Sequence, residues 1–314
     1  MAKNITFEER FTIECMINSN YSLESIYSCI KRTYRTIKRE ISRCAPNNYI
    51  ASVAQEHASK KMSRKQGYNL DKSAEEYIRT KLIEDKWSPM IISQRIESAG
   101  FDPVSHTYIY SYIEKDKHAG GKLYQSLACP NKYQGKKEYK GSIPNRVNID
   151  QRPEVANDRA RIGDMETDLV VSPKNQGSSV VSSVDRESRF CCLDKVVNKT
   201  KELVRDTVIH GLSNIGFNIF SITSDNGTEF TDHEIIAEQL ESDYYFADPY
   251  SSYQRGSIEQ LNGLIRRFIP KGTYIDDIDQ SMVKMVENKL NNRPRKVLGW
   301  LSPIEYLNEQ GIYV

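Results

Sequence analysis

Three acidic side chains in the second half of the chain have positions suited to metal-dependent chemistry. Asp168 lies in a short β-prone run, Asp225 follows an apolar strand-like run, and Glu259 lies near the start of a helical segment. Carboxylate oxygens are hard ligands of the kind that Mg²⁺ prefers, and few are needed because substrate phosphates and water complete the octahedron. Two such ions about 4 Å apart could activate a water or a 3′-hydroxyl and stabilise the leaving oxygen of an in-line displacement at phosphorus.

Each of these residues also has an ordinary structural explanation. An Asp at the end of a strand often serves as a turn or cap residue, and Asp225-Asn226-Gly227 is itself a turn sequence. Helical spacing places Asn262 one turn and Arg266 two turns after Glu259 on the same face, so both could support a site. Spacing alone leaves the metal site and the plain turn as open alternatives.

The elements that would position these residues follow from a change of hydrophobic period near residue 160. Short β-prone runs between turn residues predict strands, and longer segments with a helical period predict helices. The predicted strands cover residues 168–171, 179–184, 190–193 and 218–223, and the predicted helices cover about 200–213, 232–241, 256–268 and 280–291. Strands followed by strand–helix alternation indicate an α/β domain, with Asp225 at the carboxyl end of a strand, where open sheets present ligand sites.

The first 45 residues predict three short helices. The expected N-caps are Thr6, Ser22 and Thr33. The apolar residues that we expect on the buried side of the first helix are Phe7, Phe11, Ile13 and Ile17. The polar residues on the exposed face of the third helix are Arg32, Arg35, Thr36, Lys38, Arg39 and Arg43.

This basic third helix fits a helix-turn-helix, whose last helix enters the DNA major groove. There, Arg can bind guanine edges, and Lys or Arg can hold phosphates. A small helical bundle with a solvated basic face is the alternative that the segment leaves open.

A weaker version of the pattern recurs over residues 65–118. Residues 71–83 predict a helix, Ser88-Pro89 begins another that continues to Ala99, and Ser105 begins a third. We interpret this segment as a second helix-turn-helix, with His106 and Thr107 as candidate DNA contacts rather than metal ligands. Residues 119–154 form a predicted basic linker, which could track a DNA backbone or simply be solvated.

Charge separates the two halves of the chain. Residues 1–150 contain 25 Lys and Arg against 17 Asp and Glu, whereas residues 151–314 contain 19 against 25. The basic half fits binding to a polyanion, and the acidic half would need bound cations before it could meet DNA. The six cysteines include no C-x-x-C pair, so we expect free thiols in a reducing cytoplasm. Neither a signal peptide nor a membrane span is expected, since no apolar run reaches 18 residues.

Sequence motifs extend along nearly the whole chain. They are Thr36–Ile41, Trp87–Pro89, His106–Tyr110, Arg161–Gly163, Glu166–Asp168, Thr223–Phe230, Phe246–Gly256, Asn262–Arg266, Asn291–Arg295 and Leu298–Trp300. Together these stretches resemble the IS-thirty family of bacterial insertion-sequence transposases, within the DDE superfamily. The 33 residues between Asp225 and Glu259 match the spacing of the family's second and third carboxylates.

The resemblance implies a multidomain protein. Its N-terminal part would contain all-α helix-turn-helix DNA-binding domains at residues 1–45 and 65–118, followed by the linker at 119–154. Residues 155–314 would form an α/β RNase H-like catalytic domain of the integrase type. By resemblance, Asp168, Asp225 and Glu259 bind two Mg²⁺ ions, which Mn²⁺ could replace, and Asn262 and Arg266 support the site.

The resemblance also implies a reaction and its partners. Water would attack the phosphodiester at the end of a mobile element, and the freed 3′-hydroxyl would then attack target DNA. The expected partners are double-stranded DNA, as terminal inverted repeats and as target, and further copies of the chain, because two ends must be joined together. The Tyr250–Arg255 loop could contact DNA beside the metals or be a rigid structural loop. We expect a bacterial cytoplasmic protein associated with the nucleoid and not with a membrane.

One departure from the family concerns the first strand. The family usually has His-Trp before its Glu-x-Asp, where this chain has Asp164-Met165. By the period of two, Asp164, Glu166 and Asp168 would share one face, so the extra carboxylate could disturb metal binding unless it lies beyond reach. Two alternatives stay open: a catalytically impaired transposase-derived DNA-binding regulator, and a structure-selective nuclease of the same fold.

Overall fold

The computed structural model of the chain describes residues 5–42, 44, 49–63, 70–127, 143–173, 177–249 and 251–314, without the side chains of residues 59–63 and 252. The chain divides into two units, Met1–Lys72 and Ser73–Val314. Each unit has buried apolar cores of its own, so the two are described separately.

The described part of the first unit is helical. Its helices are α1 (Phe7–Asn18), α2 (Leu23–Ile30), α3 (Tyr34–Ile41) and α4 (Ala51–Ser63). The first three begin at the predicted caps, because the hydroxyl groups of Thr6, Ser22 and Thr33 each accept a backbone N–H from three residues further on. These bonds satisfy donors that the start of a helix leaves open. Helix α4 has no counterpart among the predicted elements.

The core of this unit corrects one prediction. Its fully buried residues are Ile13, Ile26, Ile37, Tyr49 and Ala54. Arg10 of α1 and Glu40 of α3 are also buried and form an ion pair of 2.7 Å. The prediction that Phe7 and Phe11 are buried is wrong, since they are 50% and 57% exposed. Helix α1 turns Ile13 inward, and the two phenylalanines lie on another face.

The second unit begins with a helical segment. It contains α5 (Lys72–Ile83), α6 (Pro89–Arg95) and α7 (His106–His118), and Ser88 and Ser105 cap α6 and α7 as predicted. Helix α6 ends earlier than the predicted Ala99. Asp85, in the turn after α5, accepts a bond of 2.6 Å from the ammonium of Lys289, and this ion pair fastens the segment to the following α/β part.

The α/β part of the second unit is built on a mixed sheet. Its described strands are β1 (Asp164–Val171), β2 (Ser179–Asp185), β3 (Cys191–Val196), β4 (Ser221–Ser224) and β5 (Asp243–Phe246). They lie in the order β3-β2-β1-β4-β5. Strands β1, β2 and β3 are antiparallel neighbours, whereas β4 is parallel to β1 and β5 is parallel to β4. Strand β5 was not among the predicted strands.

Helices cover both faces of this sheet. They are α8 (Glu154–Asn157), α9 (Lys201–Ser213), α10 (His233–Gln239), α11 (Gly256–Ile265), α12 (Gln280–Asn291) and α13 (Pro303–Glu309). Met165 and Leu169 of β1 belong to the core with α9 and α10, whereas Val170 belongs to the core with α11 and α12. Because side chains alternate along a strand, Asp168 lies on the face that α11 covers.

The predicted order of structural classes is confirmed: a helical N-terminal region precedes a mixed α/β sheet domain. The helix-turn-helix assignments and the domain boundaries stay predictions. Within the part of the chain that the structure describes, no helix is long and apolar enough to cross a membrane.

Candidate active site

The strand register brings Asp168 and Asp225 to the same level of the sheet. Strands β1 and β4 run parallel, with Glu166 paired to Thr223. Two residues further along each strand, the same register gives Asp168 and Asp225, and neighbouring strands lie about 4.8 Å apart. Asp225 directly follows the end of β4, at the carboxyl edge where open α/β sheets present ligand sites.

A guanidinium lies between these two carboxylates. The Nη1 atom of Arg255 is 3.9 Å from Oδ2 of Asp168, and its Nη2 atom is 3.7 Å from Oδ2 of Asp225. Arg255 immediately precedes α11 and is 8% exposed. The two acidic residues therefore converge on one position, and a cation occupies it.

Asn262 supports Asp168 from α11. Its Nδ2 donates to Oδ2 of Asp168 at 2.8 Å, and its Oδ1 accepts from the hydroxyl of Ser182 on β2 at 2.9 Å. The backbone N–H of Leu169 donates to Oδ1 of Asp168 at 2.8 Å. These contacts fix the orientation of the Asp168 carboxylate, and the supporting role of Asn262 in an active site stays a prediction. Arg266 instead donates to the carbonyl oxygen of Val171 at 2.8 Å.

Glu259 lies at the surface of α11. It is exposed in the first turn of α11, one turn before Asn262 on the same helix face. Among the residues with described positions, no three His, Cys, Asp or Glu side chains are grouped closely enough to hold a metal ion. The structure thus brings Asp168, Asp225 and Asn262 together and leaves Glu259 on the adjoining helix surface.

Burial sets the protonation of Asp168. It raises the pKa of this carboxyl to about 6, Arg255 lowers it, and the carboxylates of Asp225 and Glu229 raise it. A carboxylate that is partly withdrawn from water beside a second carboxylate binds a cation more readily than an isolated exposed one. Mg²⁺ is usually bound through one or two carboxylates together with water and substrate phosphates. The donor atoms of Asp168 and Asp225 therefore fit a divalent cation.

Glu166 was not predicted to matter, yet it holds the helix that carries Glu259 and Asn262. It is fully buried, forms an ion pair with Arg186, and its Oε2 accepts the backbone N–H of Ile258 at 2.8 Å. Helix α11 has no side-chain cap of its own, so Glu166 satisfies a donor in its first turn. Its position two residues before Asp168 on the same strand face was the available sequence signal.

Part of the predicted linker contacts the loop before α11. Asn148 donates to Oδ1 of Asp248 at 2.8 Å, and Gln254 donates to Oδ2 of Asp248 at 2.9 Å. In return, the backbone N–H of Asp248 donates to Oε1 of Gln254 at 2.8 Å. Asp248 is therefore hydrogen-bonded both to Gln254, which directly precedes Arg255, and to Asn148. No sequence motif predicted this contact.

Asp164, the departure from the family pattern, is neutralised away from the site. The guanidinium of Arg161 donates to both of its oxygens at 2.9 and 3.0 Å, and the hydroxyl of Ser221 donates at 2.6 Å. At about 3.3 Å per residue, Asp164 lies about 13 Å along the strand from Asp168.

The predicted DNA contacts of α3 are mostly at the surface. Arg35, Thr36, Lys38 and Arg39 are exposed, whereas Arg32 is half-buried and pairs with Glu9 of α1 at 3.1 Å. Arg43 lies outside the described residues. In the second unit, His106 and Thr107 are exposed in the first turn of α7.

Curated proteins similar to this chain include several transposases. No family model matches the chain. The transposase for insertion sequence element IS4351 of Bacteroides fragilis is 36% identical over 312 residues, covering 97% of this chain and 95% of that protein. The transposase for insertion sequence element IS1086 of Cupriavidus metallidurans is 32% identical, covering 96% of this chain and 93% of that protein.

Two further similarities have lower identity. Transposase InsI for insertion sequence element IS30A of Escherichia coli is 29% identical, covering 98% of this chain and 84% of that protein. Among solved structures, the catalytic core domain of BIV integrase is 19% identical with a TM-score of 0.38, covering 48% of this chain and 96% of that one. On the strength of the transposases that match it along nearly its full length, the chain belongs to the IS-thirty family of insertion-sequence transposases.

Proposed function

We propose that this chain cuts the ends of an insertion sequence and joins them to new DNA, using the carboxylates of Asp168, Asp225 and Glu259. The observation that carries the proposal is the convergence of Asp168 and Asp225 on one cation position at the carboxyl edge of the sheet. The chain's membership in a transposase family supports the same chemistry.

Asp168 and Asp225 would hold divalent cations, with Glu259 as the third carboxylate from α11. Bound Mg²⁺, or Mn²⁺ in its place, would supply charge neutralisation and an acidified water or hydroxyl at the scissile phosphate. The protein's own residues prepare the position. Asn262 aims Oδ2 of Asp168, and Glu166 holds the start of α11. Glu259 lies one turn before Asn262 on the same face of that helix, the face that approaches Asp168.

The helical segments are the proposed DNA-binding parts. Helix α3 presents Arg35, Lys38 and Arg39, and α7 presents His106 and Thr107, for recognition of the terminal inverted repeats. Exposed Lys and Arg on one helix give affinity for phosphates, and polar side chains at the start of a helix can reach base edges. Target DNA is the second nucleic-acid partner, and joining of two ends requires more than one copy of the chain.

The test is strand transfer by the purified chain with Mg²⁺, on a labelled duplex that carries the inverted repeat flanking its gene. Asp225→Asn removes one charge but keeps an oxygen that can accept the N–H of Gly227, as Oδ1 does at 3.1 Å. Asp206→Asn is the matched control, because the side chain of Asp206 is 61% exposed on α9. We expect joined products from the wild type and the control and none from Asp225→Asn, and Glu259→Gln should be equally inactive.

Other outcomes would point to other functions. Specific binding of the repeat without cleavage by any of these proteins would contradict the proposal and favour a regulator. Cleavage without joining, and without preference for repeat ends, would favour a nuclease. A fully active Glu259→Gln variant would remove only the third carboxylate from the proposed site.

A further inference from the structure

The guanidinium of Arg255 lies between the carboxylates of Asp168 and Asp225. It interacts with them by Coulomb attraction rather than by hydrogen bonds. Its two Nη atoms face different carboxylates at 3.9 and 3.7 Å, distances that allow Coulomb attraction but exceed those of N–H···O hydrogen bonds. The side chain is largely buried, so this attraction is screened less than at an exposed surface pair. The guanidinium therefore neutralises part of the charge of Asp168 and Asp225 without being locked to either.

The remaining anchors of Arg255 are weak. Its Nη1 donates to the carbonyl oxygen of Thr167 at 3.4 Å, near the limit for a hydrogen bond. Its buried Nε has no hydrogen-bond partner among the residues that the structure describes. Arg161 differs, since it donates to both oxygens of Asp164 at 2.9 and 3.0 Å. The side chain of Arg255 is thus held mainly by the charges of the two carboxylates.

The backbone that carries Arg255 is fixed on both sides. Gln254 exchanges two hydrogen bonds with Asp248, and Ile258 is capped by Glu166. The part that can change position is therefore the Arg255 side chain, while the loop and the start of α11 stay in place.

We propose that Arg255 is an internal counter-ion that competes with the divalent cation for the position between Asp168 and Asp225. This inference rests on the proposed function, since it concerns the metal site of that reaction. Two carboxylates and one guanidinium leave a single net negative charge, which attracts a divalent cation less than two unpaired carboxylates do. Binding of the metal requires the guanidinium to leave this position. The free energy of its attraction to the two carboxylates is then lost, and the net free energy of metal binding is weaker by that amount.

The test is a titration of the full chain with Mn²⁺, followed by electron paramagnetic resonance of the free ion. Arg255→Gln should bind Mn²⁺ about tenfold or more tightly than the wild type, because the competing charge is gone. Arg255→Lys keeps the charge and should stay near wild type. Arg267→Gln is the matched control, since Arg267 is half-buried in the same domain and donates to the carbonyl oxygen of Ser126. It should bind Mn²⁺ as the wild type does.

Asp225→Asn separates failure of this inference from failure of the proposed function. If Asp225→Asn loses Mn²⁺ binding while Arg255→Gln binds no more tightly than the wild type, the counter-ion role is wrong and the metal site stands. If Asp225→Asn binds as the wild type does, or if no variant binds, both ideas are wrong.

A second measurement covers the case in which Arg255→Gln does not fold. The Nε–Hε resonance of Arg255 in the wild-type chain, assigned by its loss in Arg255→Lys, should shift on saturation with Mg²⁺. The resonances of Arg161 and Arg267 should stay in place. An unchanged Arg255 resonance at saturating Mg²⁺ would show that the guanidinium does not leave, and would overturn the inference.

Discussion

Replacement of Glu166 by Ala tests how the fold positions the site. The carboxylate is fully buried and serves two partners, the guanidinium of Arg186 and the backbone N–H of Ile258 in the first turn of α11. The substitution leaves Arg186 as an uncompensated buried charge and leaves the start of α11 without a cap. It should therefore lower both the stability of the second unit and the accuracy with which α11 presents Asn262 and Glu259.

The size of the effect follows from these contacts. Removal of one member of a buried ion pair costs about 3–5 kcal/mol, and loss of a helix cap costs about 1 kcal/mol. Because one carboxylate makes both contacts, the two figures overlap, and we expect Glu166→Ala to lower the free energy of unfolding by about 4 kcal/mol. Glu166→Gln keeps an oxygen for Ile258 but still leaves the charge of Arg186 unpaired, so it should cost about 3 kcal/mol.

Urea unfolding followed by tryptophan fluorescence measures this loss. The chain's two tryptophans, Trp87 and Trp300, both lie in the second unit, so the signal reports on that unit. Glu202→Ala is the control, because the side chain of Glu202 is 53% exposed and exposed positions usually change stability by less than about 0.5 kcal/mol.

A double variant separates stability from positioning. Glu166→Leu with Arg186→Met replaces the buried pair by apolar side chains and should recover much of the stability. It still leaves Ile258 uncapped, so strand transfer should stay low. A free energy of unfolding of Glu166→Ala within about 1 kcal/mol of the wild type, or full strand transfer by the double variant, would refute this role of Glu166.

Three further predictions concern pH, DNA and the contact between segments. Without metal, the folded chain binds a proton at Asp168 up to about pH 6, above the ordinary range of an Asp. The stability of the folded chain should therefore fall as the pH rises from the ordinary range of an Asp to about pH 6. Asp168→Asn should flatten this part of a plot of melting temperature against pH, and an unchanged slope in the variant would contradict the raised pKa. Replacement of Lys38 and Arg39 by Ala should reduce the slope of log affinity against log salt for DNA by about one for each phosphate that is no longer bound, measured by fluorescence anisotropy; an unchanged slope would place the phosphate-binding residues elsewhere. Lys81 and Lys289 lower the pKa of Asp85 although burial opposes them, so Asp85→Ala should loosen the helical segment and speed limited proteolysis at neutral pH. In the wild type, this contribution should be lost as pH falls through the carboxyl's own range, and an equal cleavage rate for the variant at neutral pH would count against it.

Local chemistry made much of this fold predictable. Thr6, Ser22, Thr33, Ser88 and Ser105 were all expected as caps, and each accepts the backbone bond that a cap makes. A cap depends on residues within one turn, so a single sequence contains the information. The strands β1 to β4 were predicted for a similar reason, since β-prone runs between turn residues are local patterns.

What the sequence left out depends on tertiary contacts. The helical period includes Phe7 and Phe11 as readily as Ile13, and only the packing of α2, α3 and α4 decides which face of α1 is covered. Strand β5 has only four residues, and it is recognised as a strand by its pairing with β4 rather than by its own sequence pattern. The position of Arg255 likewise requires the register of β1 against β4, which joins residues far apart in the chain.

The acidic residues of β1 show how the same pattern acquires different chemistry. Asp164, Glu166 and Asp168 share one strand face, so periodicity alone treats them as equivalent. In the structure Asp164 pairs with Arg161, three residues before it, and Glu166 pairs with Arg186. Of the three, only Asp168 lies beside a second acidic residue across the β1–β4 register. That residue is Asp225, which directly follows the end of β4. The position along the strand, and not the face, therefore decides which carboxylate is available to a cation. The extra carboxylate at Asp164 gives no ground for expecting an impaired site, because its charge is neutralised where the strand begins.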